Sequence, residues 1–188
     1  MKRKAVLRKI AFCLIGACVA LALTTPALAQ KGQELKDAAK MMQDGWKMFN
    51  DGQRMIIKGK EMNGLVAVKQ GAAGLMAPGN KVIQDGRTTM DRGAKLYAQG
   101  EKTYLKNKKT PSVARQGLKM MSDGFKIAKD DGGSLVKQGV SMNFQVAQEK
   151  GFADRFARGN QVIQTGMQTM EGGAKLFMQG ESLYLKLK

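Results

Sequence analysis

The sequence predicts an all-α protein: two tandem antiparallel helical hairpins, four long amphipathic helices in all, packed as a bundle or as an extended coiled-coil-like rod. Three observations carry this. The chain is internally duplicated, glycine recurs every seven residues with apolar pairs at fixed offsets, and the intervening residues favour helix.

Duplication comes first, because a repeat sets the unit that must fold. Met41-Met42-Gln43-Asp44-Gly45-Trp46-Lys47 matches Met120-Met121-Ser122-Asp123-Gly124-Phe125-Lys126. From Asp51-Gly52 the match shifts by one residue, to Asp131-Gly132, and then runs without a gap to Lys108 and Lys188. Gly79-Asn80 returns as Gly159-Asn160, Gly93-Ala94-Lys95-Leu96-Tyr97 as Gly173-Ala174-Lys175-Leu176-Phe177, and Tyr104-Leu105-Lys106 as Tyr184-Leu185-Lys186. About half of the aligned positions are identical.

The shorter period is glycine. It recurs at Gly45, Gly52 and Gly59, at Gly79, Gly86, Gly93 and Gly100, and at Gly159, Gly166, Gly173 and Gly180, with Gly124 answering Gly45. Calling glycine position a, apolar pairs follow at d and e: Met48/Phe49, Met55/Ile56, Val82/Ile83, Leu96/Tyr97, Val162/Ile163, Leu176/Phe177. In a helix a, d and e share one face, and the polar residues take the rest. Short strands joined at Asp44-Gly45, Asp51-Gly52 and Asp85-Gly86 would also give this period, since Asp-Gly suits tight hairpins. Composition decides for helix: Met, Lys, Gln, Ala, Leu and Glu dominate, and adjacent apolar pairs do not alternate as a strand requires. Each interior glycine costs a helix about 1 kcal/mol relative to alanine. Close approach of a neighbouring backbone must offset that cost. The glycines expected to pack this way are Gly45, Gly52, Gly59, Gly86, Gly93, Gly100, Gly124, Gly166, Gly173 and Gly180.

The divisions follow. Residues 1–29 read as a cleaved signal peptide, 30–109 as the first hairpin and 110–188 as the second. Lys2 to Lys9 is basic, Ile10 to Leu23 is apolar, and Ala27-Leu28-Ala29 is a small-x-small cleavage signal. The competing reading lipidates Cys18 within Ile15-Gly16-Ala17-Cys18. Helices are expected over Gln33–Gln70, Asn80–Lys106, from Thr110-Pro111 to Lys150 with an interruption at Asp131-Gly132-Gly133, and from Asn160 onward. Proline at the first helical position supports the third start.

Charge and composition narrow the function. The chain has 32 Lys+Arg against 15 Asp+Glu and no histidine. Cleavage after Ala29 removes Lys2, Arg3, Lys4, Arg8 and Lys9 with both cysteines, leaving 27 bases against 15 acids, a balance of +12. An exported protein this basic should seek anionic membrane surfaces or envelope polymers rather than nucleic acid. Without thiol or imidazole, disulfides and most metal and haem ligation are excluded. A nucleophile would need serine or threonine with a lysine base, and Ser112, Ser122, Ser134, Ser141 and Ser182 show no such context. The expectation is a protein that is not an enzyme and has no cofactor. Met41, Met48, Met55 and Met62 repeat every seven residues, about 10.5 Å apart on a helix. That is too far to share one Cu(I), so adaptable packing is the reading and Cu(I) or Ag(I) buffering a weaker alternative.

The candidate contact surface joins the hairpin tips to the lysine-rich linker: Leu75, Met76, Phe152, Arg155, Phe156 and Arg158, with Lys106, Lys108 and Lys109. The first tip is nearly uncharged, while the second sets two phenylalanines beside two arginines. The expected function is periplasmic or secreted binding of anionic envelope components or of a protein partner, with self-association into a homo-oligomer left open. An ATP-independent periplasmic chaperone is the alternative.

Overall fold

The structure is a computed structural model describing residues 2–187, with side chains described from Gln30 onward. The expected leader side chains, Cys18 and the cleavage signal therefore lie outside the described side chains. Five helices follow one another: α1 (Lys2–Lys69), α2 (Ala77–Lys106), α3 (Pro111–Lys126), α4 (Gly133–Glu149) and α5 (Ala157–Lys186). A π-helical segment, Ile127–Gly132, joins α3 to α4, so these two run as one long helix. No strand occurs among the described residues, which removes the Asp-Gly hairpin alternative.

The close pairs are α1 with α5 and α2 with α3 and α4, so each glycine-lined pair takes one helix from each hairpin. Along α1 and α5, Gly45 meets Gly173, Gly52 meets Gly166, Gly59 meets Gly159, and Ala38 meets Gly180. Along α2, Gly100 meets Gly117, Gly93 meets Gly124, Gly86 meets Gly132, and Gly79 meets Gly139. The contacts are reciprocal and backbone to backbone. A Cβ on Gly93 would stand 2.5 Å from the Gly124 carbonyl oxygen, and one on Gly124 2.6 Å from that of Gly93. Helices kept apart by side chains lie about 8–10 Å apart. Here only the absence of Cβ lets the backbones meet, which gives dispersion and Cα–H···O contacts in return for helix propensity.

The apolar residue at e, four after the glycine, turns to the centre of the bundle. Phe49, Ile56, Ile83, Met90, Tyr97, Ile163, Met170, Phe177 and Tyr184 are buried, while position d stays on the flank, with Met48 at 38% exposure. Met41 and Met48 lie over Gly180 and Gly173 of the partner helix. The mid-bundle core is aromatic. Phe125 stacks on Phe177 at 3.9 Å, Trp46 stacks on Tyr97 at 4.5 Å, and Phe49 meets Phe125 edge-on at 5.3 Å.

The π segment accounts for the one-residue shift between repeats. Gly124 and Gly132 are eight apart where their counterparts Gly45 and Gly52 are seven apart. One extra residue in an α-helix would rotate every later glycine off the contact face by about 100°. A π turn absorbs it. The expected interruption at Asp131-Gly132-Gly133 is thus a widened turn, and the helix continues through it.

Candidate functional site

The bundle has two unlike ends, since α2 and α5, at 30 residues each, span about 45 Å. At the tip end both hairpins turn in the same way. Gly71 and Gly151 have φ of 69° and 73°, conformations glycine adopts without strain. Ala72 N–H then donates to the Ala67 carbonyl at 2.9 Å and Phe152 N–H to that of Ala147 at 3.0 Å, which closes each helix. One-turn 3₁₀ segments, Ala73–Met76 and Ala153–Phe156, fold back over the bundle mouth. They carry Met76, Phe152 and Phe156 into a second apolar cluster with Ala67, Ala72 and Ala147. Three residues of the expected contact surface are corrected here: Met76, Phe152 and Phe156 are 3%, 5% and 1% exposed and plug the bundle end. The i, i+4 spacing of the two phenylalanines served burial because the 3₁₀ turn points both inward, with their rings 5.5 Å apart. Leu75, Arg155 and Arg158 are exposed, as expected of a surface.

The two tips differ outside. Leu65, Val68 and Leu75 stand 67%, 64% and 50% exposed on the first. Their counterparts on the second are Gln145, Gln148 and Arg155. An open groove of about 380 Å³ runs beside Leu65 and Val68, with Ala73, Met76 and Asn80 along its wall.

Beneath the tips lies a polar layer that the repeat pattern did not announce. Asn63 donates to Asn160 at 2.8 Å, and Asn143 donates to Asn80 at 3.0 Å, one pair within each glycine-lined helix pair. The Oδ1 atoms of Asn63 and Asn143 are buried without a hydrogen-bond partner and lie against Gly159 and Gly79. A heptad glycine ladder permits slips of seven residues. These pairs penalise such a slip, because it would strand buried amides among apolar side chains.

At the opposite end, the linker exposes Lys106, Lys108 and Lys109. The Lys108 ammonium lies 5.8 Å from the Tyr104 ring centroid, a cation–π arrangement. Arg115 donates to the Leu187 carbonyl at 3.1 Å, and the Tyr184 hydroxyl donates to the Arg115 carbonyl at 3.0 Å. Burial pushes the Tyr104 phenol up; it does the same to Tyr184, against the opposing pull of Arg115 and Lys119. Tyr97, deep in the aromatic core, is raised furthest by burial, with the Glu101 and Asp44 charges adding to it.

Among the described residues, ion pairs join Arg54 to Asp51, Lys119 to Asp123, Lys126 to Glu181, Lys129 to Asp130 and Lys137 to Glu171. The linker lysines belong to none of them. Ser122 donates to the Glu181 carboxylate within the packed interface. A cleft of about 230 Å³ opens beside the π segment over Phe49 and Met170, and its lysines, Lys129 and Lys137, are each matched by a carboxylate.

All ten expected packing glycines meet a partner backbone. Gly79, Gly117, Gly132, Gly139 and Gly159 do so as well. Of these, Gly79 and Gly159 belong to the seven-residue series, Gly132 and Gly139 answer Gly52 and Gly59 across the one-residue shift, and Gly117 answers Ala38, so the repeat alone does not mark it. Comparison with protein-family models, with curated proteins and with solved structures gave no match.

Proposed function

We propose that this is an exported, non-enzymatic binding protein that engages anionic components of the cell envelope through a basic surface. The charge supports it: 27 bases against 15 acids beyond the leader, with exposed lysines at the linker end outside the ion pairs. No helix among the described residues is long and apolar enough to cross a membrane, so contact with a bilayer would be made from its surface. Unmatched cations attract phosphate-bearing surfaces over a screening length of about 8 Å at physiological ionic strength. Co-sedimentation with vesicles of anionic phospholipid, against neutral vesicles, tests this. Binding should be strong at about 20 mM salt and fall steadily as screening shortens toward about 3 Å near 1 M. Absence of binding at low salt would overturn it.

One observation favours a second reading, that of an ATP-independent chaperone or a protein-partner surface. The first tip shows solvent three large apolar side chains where the second shows none at the same positions. Converting Leu65, Val68 and Leu75 to Gln, Gln and Arg transplants the second tip onto the first. Under this reading the change abolishes suppression of client aggregation. Unchanged suppression, or none in the parent, rejects it.

A further inference from the structure

The second apolar cluster plugs the tip end of the bundle. At the linker end all four helical arms converge on a cleft of about 260 Å³ lined by Lys31, Leu35 and Lys36 of α1, Tyr104 of α2, Lys108 of the linker and Arg115 of α3, with Pro111 and Leu187 at its rim. Its chemistry differs from that of the cleft beside the π segment. Four cations line it, and no carboxylate does among the described residues. Its walls are apolar: Leu35 and Leu187 are half-buried, and the Tyr104 ring is buried. The Arg115 Nε is buried and has no hydrogen-bond partner, while an Nη of the same guanidinium is held by the Leu187 carbonyl. A guanidinium fixed in this way is a preorganised anion contact, since its fork matches phosphate and carboxylate oxygens. Thr110 gives α3 no side-chain cap, so the positive end of that 16-residue helix opens beside Pro111 at the same rim.

We infer that this cleft binds the head of an anionic amphiphile: a phosphate or carboxylate held by Arg115, Lys108, Lys31 and Lys36, with its first methylenes against Leu35, Tyr104 and Leu187. The inference rests on the envelope-binding reading and sharpens it to one site. The volume is below that of pockets that enclose whole drug-sized ligands, so the rest of the acyl chain stays outside or in a bilayer. Anion and chain are both needed, because the apolar walls give a free anion nothing and a neutral head leaves the four cations without a charge partner.

The test is calorimetric titration of the purified native protein with dodecyl phosphate below its micellar concentration. Inorganic phosphate and dodecyl maltoside serve as the head-only and chain-only probes. One-to-one saturable binding of dodecyl phosphate is expected, at least tenfold tighter than either control. Lys108→Glu, at an exposed position, and Arg115→Gln should each weaken it at least tenfold. Because Arg115 also holds Leu187, its variant is read only alongside an unchanged melt, and Lys108→Glu carries the conclusion if that melt falls. Equal affinity for inorganic phosphate would make this a free-anion site and overturn the amphiphile. Unaltered binding by both variants would remove the cleft from the interaction. A parent that adsorbs to anionic vesicles but shows no saturable titration loses the cleft alone; one that does neither loses the envelope reading too.

Discussion

The α1–α5 pair and the α2–α3–α4 pair solve the same packing problem with different helices. In α1 and α5 every glycine rung is seven residues from the next, and both helices are uninterrupted. In the second pair α2 keeps the seven-residue spacing while its partner takes one step of eight, through the π segment. Contacts on both sides of that step have the same reciprocal geometry. The glycine face is therefore the conserved quantity of the architecture, and helical regularity gives way to it.

The largest effects should come from breaking a rung in each pair. Gly173→Leu and Gly93→Leu occupy corresponding positions, and a Cβ at either would stand 2.5–2.7 Å from partner backbone atoms. Backbone cannot swing aside as a side chain can, so each should cost about 3 kcal/mol or more by overpacking. Thermal melts followed by circular dichroism check this. Tolerance in one pair alone would show that the two are not equivalent.

The aromatic layer between the pairs is asymmetric in charge chemistry, since Tyr97 corresponds to Phe177. Burial raises Tyr97, Tyr104 and Tyr184 above the ordinary phenol range. With folded values above the unfolded value of about 10, their contribution is fully present below pH 10 and is lost as pH rises beyond it. Spectrophotometric titration should show Tyr97 ionising last, together with loss of helix. Tyr97→Phe should raise resistance to alkali relative to the parent. Equal alkaline midpoints would contradict the assignment.

Smaller effects belong to the asparagine layer. Asn63→Ala and Asn143→Ala each remove a donor to Asn160 or Asn80 and leave a cavity at the tip, so each should cost about 1–2 kcal/mol. Chemical denaturation of the two variants measures this. A large gap between them would mean that the plugs above are not equally supportive. Smallest of all is Gly172→Arg. Gly172 has only the flexible end of Met48 beside it, at 3.4 Å, and corresponds to Arg92. Removing an unfavourable helical glycine there should be neutral or stabilise by up to about 1 kcal/mol. Destabilisation would place the α5 flank in tighter contact than its geometry shows.

Much of this was legible in the chain. Helix follows from residue type and from the d/e pairs, and the glycine face from its period. Local periodicity cannot say which helices meet, because all four long helical arms carry the same ladder and any antiparallel pairing satisfies it. For the same reason Phe152 and Phe156 could not be told from a surface patch: their direction depends on a 3₁₀ turn set by Gly151. Asn63, Asn80, Asn143 and Asn160 lie far apart in sequence and become a layer only after folding. The cleft at the linker end is drawn from four separate segments, so no stretch of sequence contains its pattern.

Crossed pairing has a consequence for how the chain stays together. Neither half contains a complete glycine-lined pair, so a chain bearing one half would have to borrow the missing helices from a second molecule, and its folding would depend on concentration. Asn107 to Thr110 abolishes that dependence. Those four residues act as a tether that turns an encounter between two molecules into one within a single chain, at an effective concentration in the millimolar range typical of short linkers. Dilution then leaves the fold intact.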